Sequence, residues 1–193
     1  MVRTSVRTLL AYLEDKPGVL NRVASLFRRR GFNIESLTVG RTERAGVSRM
    51  TLVVRTDEDA ARRLEANLYK LVNVLAVEDV TDAPTVVREL ALIKVRASAE
   101  VRAEVMQLCE VFRARVVDVT PEALVIESTG AQDKLDGLLE MLRPYGVLEL
   151  VRTGAVAMTR GLERPAGDDA AGDASRGTGT ATTKTTTAEE AAA

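Results

Sequence analysis

EDKPGVLNRVASLFRRRGFNIESLTVG, residues 14–40, passes from a charged turn through one helix into one strand, and its punctuation decides the fold. Pro17 and Gly18 stop the apolar run that precedes them. Val19, Leu20, Val23, Leu26 and Phe27 then recur at helical spacing. Arg28, Arg29 and Arg30 place cations where the helix dipole favours them, and Gly31 stands at the C-terminal stop. Consecutive helical residues point about 100° apart, so these three arginines read as a solvated helix end rather than one patch. Strand sequence resumes at 32–40.

A helix that begins on Gly18 leaves the amides of Gly18, Val19 and Leu20 without intrahelical partners, at the positive end of the dipole. Such an end takes carboxylates or phosphates. Gly18 has no side chain to cap its own helix, so an outside anion can come close. Asp15 beside it offers a carboxylate to an ammonium. Asn33 opens the next strand inside an apolar stretch, where a half-buried amide needs a partner. The side chains of Val19, Leu20 and Ile34 suit a small branched aliphatic group. Two readings fit these residues equally: a receptor for a free amino acid, or a tight turn at Pro17-Gly18 that Asn33 caps.

Outward from this stretch, VRTLLAYLE (6–14) is a strand. FNIESLTVG (32–40) and VSRMTLVVR (47–55) flank a polar loop as a hairpin. Thr56 or Asp57 caps a second helix whose inner stripe is Ala61, Leu64, Leu68 and Leu71, and VNVLAVEDVT (72–81) is a strand. The order then repeats at an offset of about 80 residues. RELALIKVRA (88–97) is a strand, 99–114 a helix, RVVDVT and ALVIEST two strands around Pro121-Glu122, 131–143 a helix, and GVLELVRTGAVAM closing strand sequence. The pattern predicts an α+β chain of two tandem ferredoxin-like βαββαβ units, residues 6–82 and 83–161, with DAPTVV as the linker. Each unit has both helices on one face of its sheet, and the other face is left for a further subunit to cover. Residues 162–193, rich in Gly, Ala, Thr and charge, read as a disordered tail.

Composition removes several classes of function. The 193 residues contain no histidine, so Ser-His and Cys-His nucleophile pairs cannot be built. The single cysteine, Cys109, shares a helical stripe with Val101, Val105, Leu108 and Phe112 and reads as a buried thiol. No metal site is expected, since one would have to come from carboxylates alone. The net charge of −1 and the scattered cations lack the basic face of a nucleic-acid binder. With 3% aromatics, the sheets have Leu, Val, Thr and Ala where such binders stack bases. No apolar run reaches the ~20 residues that span a bilayer, and no signal peptide opens the chain, so a cytoplasmic protein without membrane partners is expected.

EDKPGVLNRVASLFRRRGFNIESLTVG followed by SRMTLVV resembles the ACT domain of the regulatory (small) subunit of acetolactate synthase, also called acetohydroxyacid synthase. KLVNVLAVEDV, RELALIKV, VVDVTPE, TGAQDKLDGLLEML and GAVAMTRG fit the same family in the same order, over about residues 5–161. The resemblance implies an N-terminal ACT domain and an ACT-like C-terminal domain with no catalytic residues and no cofactor of its own. It implies a larger catalytic partner that uses thiamine diphosphate, magnesium and FAD to make acetolactate from two pyruvates, or to join pyruvate to 2-oxobutyrate. The small subunit raises that activity and confers feedback inhibition by valine or another branched-chain amino acid, bound between paired ACT domains. Carried over, Gly18, Val19 and Leu20 match the helix-start amides and Asn33 the asparagine that reaches the effector across the dimer, with Ile34 beside it. Asp15 departs from the family, whose valine-sensitive members often have Asn there. The competing expectation is a free-standing ACT-domain sensor with a different client. A stand-alone enzyme fits poorly without a base, and a transcription regulator fits poorly without a helix-turn-helix.

Overall fold

The computed structural model describes residues 4–161; the tail reading of 162–193 lies outside the described residues. In the first unit, β1 (Ser5–Glu14), α1 (Val19–Arg30), β2 (Ile34–Arg41), β3 (Val47–Thr56), α2 (Glu58–Leu68) and β4 (Val74–Asp79) follow in order. Their antiparallel sheet runs β2-β3-β1-β4. Alternation along β1 and β3 decides the two faces. Leu9, Ala11 and Leu13 join Met50, Leu52 and Val54 on one side, where Val23 and Phe27 of α1 and Leu64 and Leu68 of α2 close the core. Asp57 caps α2, its carboxylate accepting the Ala60 amide at 2.8 Å.

The second unit repeats the plan. It comprises β5 (Thr85–Arg96), α3 (Arg102–Val111), β6 (Arg115–Val119), β7 (Ala123–Gly130), α4 (Gln132–Leu142), β8 (Val147–Arg152) and β9 (Val156–Thr159). Its sheet runs β6-β7-β5-β8. Ile93, Val95, Leu124 and Ile126 pack under Val105, Cys109, Leu135 and Leu138. Cys109 is buried, and desolvation raises its thiol pKa, so it behaves as a core hydrophobe.

Four expectations change. The helix expected over 99–114 forms only over 102–111: it opens with a turn in which the Val101 amide donates to the Ser98 carbonyl at 3.3 Å, and it ends early where Arg113 takes a positive φ of 51°. The strand expected over 72–81 is confined to β4. The expected linker is half strand: Thr85, Val86 and Val87 belong to β5 and pair with Thr159, Met158 and Ala157 of β9. The closing strand breaks in two at Gly154, and its second half turns back onto the first unit.

That return covers the sheet face that had been expected to await another subunit. Leu10 and Val80 pack with Ala157, and Val87 leans on them. Tyr12 is buried with Val47 and Ala76 beneath the guanidinium groups of Arg44 and Arg49, at 5.8 and 5.7 Å from its ring. Arg49 donates onward to the Ala157 carbonyl. Much of the outer face of the first sheet is therefore buried within one chain. On the second sheet, Leu92 and Val151 remain exposed.

A core truncation tests this packing. Leu64 is fully buried between α2 and the first sheet, so Leu64→Ala should cost about 2–5 kcal/mol in denaturant unfolding. Val72→Ala, on a side chain 89% exposed, should change stability by about 0.5 kcal/mol or less.

Candidate functional site

The start of α1 is built by a turn that leaves β1 at Glu14. The Asp15 amide donates to the Gly46 carbonyl at 2.7 Å, which ties the turn to the β2–β3 hairpin, and Lys16 donates back to the Glu14 carbonyl at 2.9 Å. Gly18 then takes φ 82°, a left-handed conformation that costs other residues about 1–2 kcal/mol, and offers no side-chain cap. The Val19 amide reaches the Lys16 carbonyl only at 3.4 Å. No side chain has been supplied for the donors that a cap normally satisfies. A side chain on Gly18 would meet nothing within 4 Å, so the approach to these amides is open.

A polar network that the sequence did not suggest borders this opening. Asn73 donates to the Glu14 carboxylate at 2.5 Å and accepts from Arg22 at 2.7 Å, and Lys16 stands 3.1 Å from the same carboxylate. Hydrogen bonds from Asn73 and then Lys16 hold the Glu14 pKa below its ordinary value. Asn73 lies 59 residues from Glu14 and arrives there through the β1–β4 ladder. Nothing in the local sequence could have announced it.

The expected site residues are placed as follows. Val19 is buried and roots the helix in the core, whereas Leu20 is 47% exposed and faces outward. Asp15 is already paired, with Arg41 Nε at 3.5 Å, so its carboxylate is not standing free for an ammonium. Asn33 is exposed rather than half-buried, because the chain leaves Gly31 over the outside of the sheet edge. Ile34 pairs with Val54 and packs against the core between sheet and helices. Twelve residues of α1 separate Gly18 from Gly31, about 18 Å of helix, so one chain does not bring Gly18 and Asn33 together. β2 connects the two ends: Asn33 precedes it, Arg41 closes it beside Asp15, and it is an edge strand whose other margin pairs with no described strand.

Among the described residues no three His, Cys, Asp or Glu side chains are grouped to hold a metal ion, and no helix is long and apolar enough to cross a membrane. The start of α1 is thus an open, uncapped helix end, bordered by charged side chains and backed by an apolar core.

Comparison with known proteins matches both units to one family. Residues 9–76 match the AHAS small subunit-like ACT domain, and residues 88–161 match the family described as the small subunit of acetolactate synthase. A probable acetolactate synthase small subunit of Archaeoglobus fulgidus is 51% identical over 157 residues, 81% of this chain and 98% of that protein. The acetolactate synthase small subunit of Mycolicibacterium smegmatis is 49% identical over 158 residues, 82% of this chain and 93% of that one. The crystal structure of the acetolactate synthase small subunit from Thermotoga maritima superposes with a TM-score of 0.76 at 41% identity, covering 82% of this chain and 99% of that one. With both βαββαβ units matched in order and relatives near half identity along most of their length, this chain belongs to the acetolactate synthase small subunit family.

Proposed function

We propose that the chain is the regulatory subunit of acetolactate synthase, which activates a separate catalytic chain and makes it sensitive to a branched-chain amino acid. The observation that carries the effector site is the uncapped start of α1 beside the open edge of β2. The effector carboxylate lies on the Gly18–Leu20 amides. Leu20 offers the apolar contact for a branched side chain, and the Asp15–Arg41 pair borders the ammonium.

Asn33 reaches this place from a second copy. Antiparallel pairing of β2 with its own copy, about a midpoint between Leu37 and Thr38, sets Ile34 opposite Arg41 of the other copy. Asn33 of one copy then stands next to the Asp15–Gly18 end of the other. This pairing also satisfies the backbone groups along the free margin of β2. Two sites form per dimer, each shared between copies. The effector selects among arrangements of the pair, and it can shift the catalytic partner only by its differential affinity for them.

Calorimetry tests the site. Valine should bind the isolated chain, and Asn33→Ala should weaken it by about 1–3 kcal/mol through a lost hydrogen bond to a group that dimerisation buries. Asp15→Asn should tighten binding if the extra charge opposes the effector carboxylate. No heat and no melting shift with valine, leucine or isoleucine would remove the effector site.

A further inference from the structure

The arginine run that closes α1 has no part in the effector site, yet two of its members meet cations from another element. A groove follows the seam between the end of α1 and α2. Leu26, Arg29, Arg30, Asn67, Lys70 and Leu71 line one stretch. Arg30 and Asn67 also line an adjoining hollow, together with Phe32, Arg55 and Arg63. Arg55 is answered by Glu35 at 2.8 Å. Among the described residues, Arg29, Arg30, Arg63 and Lys70 have no carboxylate at ion-pair distance. Arg30 and Lys70 instead donate to one neutral acceptor, Asn67 Oδ1, at 3.1 and 3.5 Å.

Two cations drawn to a single amide oxygen leave most of their charge unanswered. The dipoles of α1 and α2 account for the cations at their own C-terminal ends, Lys70 included, but not for Arg63 in the middle of α2. Between the cations the floor is apolar: Leu26 is buried, and Phe32 and Leu71 pack on the first core.

We propose that this groove seats an acidic segment of the catalytic subunit. The inference rests on the activator reading above and names the surface through which activation passes. A compact phosphate is held by donors and backbone amides gathered around one point. Here the donors are strung along two elements with apolar side chains between them. That arrangement suits an extended chain bearing several carboxylates and a hydrophobic residue, with the charges steering its approach. Asn33 lines the adjoining hollow, so an effector held by Asn33 sits beside the seated segment.

The test uses the full chain with its cognate catalytic subunit. Arg29→Glu/Lys70→Glu should need about tenfold more protein, or beyond, for half-maximal activation at low ionic strength. The wild-type requirement should rise with salt far more steeply than the variant's. Valine calorimetry on this variant should be unchanged, which establishes that it is folded, and Arg29→Lys/Lys70→Arg should activate like the wild type. An unchanged half-saturating concentration in the charge reversal overturns the inference and leaves the activator reading standing. A wild-type chain that never activates overturns both. Lost valine binding with normal activation assigns the groove to the effector and overturns the proposal. Tripolyphosphate that stabilises the wild type but not the variant, with activation untouched, marks a small-anion site and also overturns it.

Discussion

Supplied with pyruvate, thiamine diphosphate, magnesium and FAD, the isolated chain should produce no acetolactate. The chemistry requires a base that deprotonates the thiazolium and a site that holds the reacting groups in line. The sequence has no histidine, and the one thiol is sealed in the second core with a raised pKa. Glu14, Lys94 and Glu149, whose pKa values are displaced, sit in surface hydrogen bonds that hold each in its ordinary charged form. Mixed with its catalytic subunit, the chain should raise turnover severalfold, and valine should then lower it. The two effects should come apart by mutation, because Arg29 and Lys70 lie outside the proposed effector site. Asn33→Ala should lose inhibition and keep activation, whereas reversal of charge at Arg29 and Lys70 should weaken activation and leave valine binding to the chain intact. Acetolactate formed by the chain alone, or a catalytic rate untouched at saturation, would defeat this account. So would a set of effector-site variants in which activation and inhibition always vanish together.

Gly154→Val should loosen the two units from each other at a cost of about 2–5 kcal/mol, about 1–2 for the left-handed backbone and about 1–3 for an amide left without its partner. Gly154 has φ 84°, which a β-branched residue adopts only under strain. A Cβ there would also lie 2.6 Å from Ser36 Oγ and 2.9 Å from Thr38 Oγ1. Those hydroxyls are the clasp between the units. Ser36 accepts the Ala155 amide at 2.9 Å, and Thr38 donates to the Thr153 carbonyl at 3.3 Å. Forcing them aside leaves a part-buried amide without its partner and lifts Ala157 from Leu10 and Val80. Denaturant unfolding should show the loss and a departure from a single transition as the units uncouple. Ser36→Ala, which removes one acceptor without strain, should cost about 1 kcal/mol. Wild-type stability in Gly154→Val would mean that the strap adds nothing to the docking.

Within each unit, the elements could be read from the chain because their causes are local. The period of Val23, Leu26 and Phe27 makes α1, Gly31 ends it, and the alternation of Leu9, Ala11 and Leu13 makes one face of β1. Cys109 could be assigned to a core from its stripe alone. The start of α1 at Gly18 was legible for the same reason: a proline, a glycine and the first apolar turn are neighbours in sequence.

What joins the units was not legible, because it depends on contacts between residues far apart in the chain. The Ser36–Ala155 hydrogen bond spans 119 residues, and only the assembled sheets bring its ends together. The same holds for the DAPTVV stretch, which is extended as any linker can be and becomes strand only because β9 returns to pair with it. Asn33 looked half-buried from its apolar neighbours, but burial depends on what lies across the edge of β2. Asp15 looked free until the hairpin set Arg41 beside it. Three arginines that diverge along one helix read as no patch from the chain alone. Packing α1 against α2 is what brought Arg29 and Arg30 to one seam with Lys70 and Arg63. Sequence by itself determined where the chain turns, coils and extends, since those choices are made within a few residues. Tertiary structure alone decided which charges are answered by a neighbouring carboxylate and which are not, since that balance is struck between elements the chain brings together only on folding.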